Sequence, residues 1–160
     1  MTPDFWVAVL HKRLIGDGAA LPVSSSNKGV LAWAHCPSSA VTAESDPEVA
    51  LVLMFANPLN FTVNVSLSAS NSYGVASNDI PTVTSLTVQR EFVLTAASET
   101  DGLLSVFASL NGGPPLSLGR AGEPPLLEGR VSAGGVLRLP HQSYGFVTYA
   151  GAALSACEDL

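Results

Sequence analysis

The chain has 160 residues, of which 47% are hydrophobic and 12% charged, and its formal net charge is −6. That length and composition suit one domain with a real core and exclude a disordered chain. The seven Lys and Arg never gather in more than a pair, Lys12–Arg13, so the basic stripe that nucleic acid or an anionic membrane surface requires is absent.

The first predicted element is a helix in "TPDFWVAVLHKRLIG" (residues 2–16). Thr2 is a suitable N-cap, and Pro3 suits the first helical position because its missing N–H would have no partner there anyway. Asp4 in the first turn and Lys12 and Arg13 in the last complement the helix dipole, and Gly16 is the stop. Phe5, Trp6, Val7, Val9, Leu10, Leu14 and Ile15 cover more than half of the circumference, so the helix must be buried on most sides. The expected arrangement docks Val7 and Leu14 on the rest of the chain and turns Phe5, Trp6, Val9 and Leu10 toward a partner outside it. The segment lacks a cleavage site and carries its charges at the wrong end for a secretory signal, so a secreted product would take its signal from a longer precursor.

From there the apolar period changes to two. "GVLAWAHC" (29–36), "EVALVLMFAN" (48–57), "NFTVNVSLS" (60–68), "TSLTVQREFVLT" (84–95), "LLSVFASL" (103–110), "GVLRLP" (135–140) and "SYGFVTYA" (143–150) read as strands. Polar and Gly/Pro-rich turns separate them. The pattern predicts a mainly β fold, an antiparallel β-sandwich of two sheets preceded by one α-helix, with a boundary at Gly16–Gly18. Residues 48–57 are apolar on both faces and should form a central strand. In 60–68, Phe61, Val63, Val65 and Leu67 should point inward, leaving Asn60, Thr62, Asn64, Ser66 and Ser68 in solvent. "NGG" (111–113) predicts a tight hairpin turn. The longest apolar run, "VALVLMFA" (49–56), is far short of the roughly 20 residues of a membrane-spanning helix, so no transmembrane segment is expected.

Sites of chemistry are sparse. Glu44, Asp46 and Glu48 surround a proline in a polar turn, without the spacing and central Gly of a calcium loop. No G-x-S-x-G elbow occurs, and the Gly-rich pieces do not join a strand to a helix N-terminus. His11, His35 and His141 have no evident partners and read as hydrogen-bonded structural histidines. Trp33 alternates with Leu31 and His35 and reads as a core or interface ring, with sugar stacking as the rival. No catalytic residue, cofactor or metal site is therefore predicted. Cys36 and Cys157 are either two buried thiols or one long-range disulfide. Two glycosylation sequons, "NFT" at Asn60 and "NVS" at Asn64, share the polar face of one predicted strand and tilt the compartment toward the secretory pathway.

Six segments together resemble one family. "PDFWVAVLHKRLIG" (3–16) is similar to the stretch leading from the last barrel helix into the C-terminal domain of heparanase-like proteins, glycoside hydrolase family 79. "VLAWAHC", "VALVLMFANPLNFTVNVSL", "REFVLT", "DGLLSVFASLNG" and "LRLPHQSYGFVTYAGAALSAC" follow in the family's order, covering Pro3 to Cys157. The acidic, Ser/Ala-rich character is closer to plant-type or algal members. The resemblance implies that residues 1–16 are the final helix of a truncated (β/α)₈ barrel and 17–160 the C-terminal sandwich. It implies an accessory part of a retaining β-glucuronidase acting on glucuronic-acid-containing polysaccharide or proteoglycan glycans. The two glutamates of that chemistry match no position here, so the segment alone is expected to be inactive. The resemblance also implies a Cys36–Cys157 disulfide and, as partners, the missing barrel and a polysaccharide. The location it implies is extracellular, cell-wall, lysosomal or vacuolar. The rival reading is a non-catalytic carbohydrate-binding or adhesive sandwich, which has no use for so apolar a helix.

Overall fold

The computed structural model describes residues 2–39, 49–70, 83–98, 101–132, 136–151 and 154–157. One helix, α1 (Pro3–Leu14), precedes strands β1 (Ala20–Leu21), β2 (Leu31–His35), β3 (Val49–Asn57), β4 (Val63–Val65), β5 (Ser68–Ser70) and β6 (Val83–Ser85). Strands β7 (Thr87–Ala96), β8 (Ala108–Leu110), β9 (Arg130–Val131), β10 (Leu137–Leu139) and β11 (Ser143–Ala150) follow. The main sheet runs β1-β2-β3-β11-β7-β8, with β9 also on β7, and every pair is antiparallel. Two small antiparallel sheets, β10-β4 and β5-β6, complete the mainly β, sandwich-like fold.

Strand β11 sits between the two longest strands. Phe146 lies opposite Met54 on β3 and Phe92 on β7, and Val147 opposite Leu53 and Glu91. Gly145 is required here, because a side chain would run into the Phe92 carbonyl of the neighbouring strand. Alternation then divides the sheet into two apolar faces. Ala34, Leu53, Phe55, Val93, Val147 and Tyr149 pack with Leu137 and Leu139 of β10, and Val63 and Val65 of β4 close over them. Val52, Phe92, Leu94, Ala108 and Phe146 face the other way and pack against Trp6, Leu10, Leu14 and Ile15. Helix, main sheet and small sheet thus form three layers. Strand β3 is covered on both sides, as its continuous apolar run requires.

The helix ends follow local rules with one exception. Thr2 occupies the N-cap in an extended conformation, but its side chain makes no capping bond; its carbonyl accepts from Phe5 N–H instead. At the other end Gly16 adopts φ +51° and His11 O accepts from the Ile15 and Gly16 N–H groups. Ser38 supplies the rest: its N–H donates to Leu14 O and its hydroxyl to Arg13 O. Two otherwise orphaned carbonyls are thereby satisfied from the segment after β2.

Three expectations are corrected. The docking stripe of α1 is Trp6, Leu10 and Leu14, spaced by four, so Trp6 and Leu10 are fully buried rather than turned outward; Phe5, Val7 and Val9 are half-buried. The single strand expected over 60–68 is two, β4 and β5, in different sheets, and Phe61 precedes β4 in a bend, 55% exposed. Likewise 84–95 divides into β6 and β7, and only 108–110 of the stretch 103–110 is strand. Among the described residues, no helix is long and apolar enough to cross a membrane.

Trp6 is fully buried between helix and sheet. Trp6→Ala is expected to destabilise the fold by about 3–5 kcal/mol, read as a lower urea midpoint at unchanged slope.

Candidate functional site

The helix-side face of the main sheet gathers most of the residues singled out from the sequence. On β2, Leu31, Trp33 and His35 share one side by alternation, opposite Ala56, Met54 and Val52 of β3. The same side carries α1, since the His11 ring stands 6.1 Å from His35 and 6.5 Å from Phe146, edge-on to both. Past the helix this face stays open: Leu31 is 50% and Trp33 44% exposed. Of the core or interface ring expected at Trp33, the core half is excluded by this exposure; on α1, Phe5, Val7 and Val9 are half-buried.

His35 fills the hydrogen-bonded role expected of it only in part, through one bond to the Gly18 backbone. Its Nδ1 is buried with no partner. Burial holds the imidazole below the ordinary 6.5, the nearby His11 adds to this, and a hydrogen bond to the Gly18 backbone partly offsets both. On the same sheet face, burial and then the Asp4 carboxylate push the Tyr144 phenol up to about 12. His141 is exposed.

Cys36 and Cys157 form a disulfide, with Cα atoms 5.6 Å apart and 121 residues of separation. It ties the end of β2 to a 3₁₀ turn at Ser155–Cys157. Next to it, Ser38 holds the end of α1, so helix, β2 and the C-terminal turn meet at one corner.

On the opposite side of the molecule, Asn60 and Asn64 are both exposed. Asn64 lies on β4, opposite the exposed Arg138 of β10, on the side away from the core. Asn60 belongs to the bend before β4, not to the strand. That bend is held by the fully buried Asn57, whose amide donates to Phe61 O, Leu139 O and Pro140 O and whose Oδ1 accepts from Leu59 N–H.

Glu44, Asp46 and Glu48 lie outside the described residues. Glu91, in the middle of β7, is buried and accepts a bond from the Arg130 guanidinium of β9. The sequence reading missed this pair, although a glutamate inside the apolar stretch "EFVL" was its visible sign. Near it, Tyr149 is pushed up to about 12 by burial and then by Glu91, and its hydroxyl is buried without a partner. Among the described residues, no three His, Cys, Asp or Glu side chains gather closely enough to hold a metal.

No known protein-family model matches this chain. No curated protein is significantly similar to it.

Two measurements follow from this geometry. A Cys36→Ser/Cys157→Ser double variant is expected to lose about 5 kcal/mol of stability in the chain-entropy model, given the long loop released; denaturation with and without reductant reads it. Expression through a eukaryotic secretory pathway should give an endoglycosidase-sensitive mass increase. Asn60→Gln and Asn64→Gln together should abolish that increase.

Proposed function

We propose that this chain is the accessory β-sandwich of a heparanase-like retaining β-glucuronidase, carrying the last helix of the catalytic barrel on its face. Glucuronic-acid-containing polysaccharide or proteoglycan glycan is the substrate class of the whole enzyme, and an extracellular or lytic compartment is its location. The observation that carries this reading is the apolar helix-side face. Helix α1 uses one stripe to dock on the sheet and keeps Phe5, Val7 and Val9 half-buried, while Leu31 and Trp33 stand exposed on the same side of the sheet. Large apolar side chains left exposed on one side of a sheet are what a large protein partner covers.

The six-segment resemblance supplies the partner's identity, and the disulfide supports an oxidising compartment. The carbohydrate-binding alternative needs exposed aromatic rings in a row. Of its candidates, Trp33 is exposed, Tyr144 is half-buried, Tyr149 is buried and Tyr73 lies outside the described residues.

The test is the coding sequence upstream of Met1, together with an assay of the chain itself. An upstream open frame for a barrel with two strand-end glutamates is expected, and the purified 160-residue chain should not hydrolyse an aryl β-glucuronide, because a retaining mechanism needs two carboxyl groups about 5 Å apart. An upstream frame that encodes no barrel, or hydrolysis by the chain alone, would overturn the proposal.

A further inference from the structure

The seam between α1 and the main sheet contains an arrangement that the proposed function does not use. His11 projects from the last turn of the helix onto the sheet, where its ring meets His35 at 6.1 Å and Phe146 at 6.5 Å. The two imidazoles therefore stand face to edge across a joint that is otherwise built from Trp6, Leu10, Leu14, Ile15, Val52 and Phe146.

What surrounds His35 is poor in compensation for charge. Val52 lies opposite on β3 and Ala20 opposite on β1. The Gly18 backbone bonds to the ring, but Nδ1 is buried without a partner. From α1 the facing titratable group is His11 itself, followed in sequence by the exposed Lys12 and by Arg13, whose guanidinium is bound to Leu127 O. Asp17, the first carboxylate after α1, is bonded to the N–H and hydroxyl of Ser39.

We propose that the His11–His35 contact makes the docking of α1 acid-sensitive, so that protonation at this seam shifts the helix toward an undocked state in mildly acidic surroundings. A proton placed on either ring opposes one on the other, and a proton on the partly buried His35 also charges a ring whose Nδ1 has no partner. The sign follows from linkage. His35 sits below its ordinary value in the folded chain, so its contribution is intact above pH 6.5 and is lost as the pH falls through and below that value, where the unfolded chain binds the proton more readily. Four buried apolar anchors hold the helix, so the device changes the undocked population by degrees and does not expel the helix in one step.

Trp6, fully buried in the same seam, reports on it directly. In a Trp33→Phe background Trp6 is the remaining tryptophan, and its emission reads docking. Between about pH 7.5 and about pH 5.5, the urea midpoint of this protein should fall as the pH drops below 6.5, with a red shift of Trp6 emission. His35→Gln in the same background should remove both effects, and His11→Gln should reduce them. An equal pH slope and red shift in the His35→Gln protein would overturn the proposal. Should that variant fail to fold, the imidazole resonances of the unmutated chain decide: a His35 midpoint below 6.5 supports it, and a midpoint at or above 6.5 overturns it.

Discussion

A sheet that is apolar on both sides must be covered on both sides, and the rest of this structure follows from that constraint. Strands β3, β7 and β11 place large side chains alternately up and down, so neither face can be left to water. One face is closed by α1 through Trp6, Leu10, Leu14 and Ile15, the other by the small β4–β10 sheet through Val63, Val65, Leu137 and Leu139. With each fully buried large side chain contributing about 1.5–3 kcal/mol, the two cover layers are as necessary as the sheet itself. The helix is thus part of the sandwich's own core as well as a candidate contact for something larger.

Covering layers must also be held in register, and here polar groups act over long sequence distances. Asn57 joins the end of β3 to the turn between β10 and β11. Asn111 does the same beside β7: its Oδ1 accepts from Val93 N–H and its amide donates to Glu91 O. The Arg13 guanidinium reaches Leu127 O across 114 residues. Glu91 and Arg130 fix β9 to β7. An unmade hydrogen bond in such a place costs about 1–3 kcal/mol, more than the bond contributes when formed. These bonds specify which arrangement of apolar layers is adopted.

Much of this was legible in the sequence where a local rule sufficed. The limits of α1 and the left-handed Gly16 followed from capping chemistry, and β3 and β11 from apolar and aromatic stretches bounded by turns. The turn at Asn111–Gly112 has positive φ at both residues, as a primed hairpin turn requires. What failed was what depends on neighbours distant in sequence. Alternation through 60–68 could not show that the chain leaves one small sheet after Val65 and enters another at Ser68. It also could not show that Asn57 bends the chain and leaves Phe61 outside. The helix is apolar over more than half of its circumference, so its composition could not select the docking stripe; the shape of the sheet does that. In the candidate site, the cysteines and sequons are residue types that announce themselves. The His11–His35 contact and the Glu91–Arg130 pair join residues 24 and 39 positions apart, and no periodicity reports them.

The position of β11 has a consequence for how the protein is made. This strand lies in the middle of the sheet, yet it comes after every other strand described in the chain. On the ribosome, β3 and β7 leave the exit tunnel early and wait with bare edges for the strand that separates them. During that interval the nascent chain displays long apolar segments able to pair wrongly with each other or with a second copy. Its contacts are largely non-local, which slows closure further. Synthesis of this fold therefore places its greatest demand on holding chaperones just before residues 143–150 emerge, and any interruption of translation there leaves a species prone to aggregate.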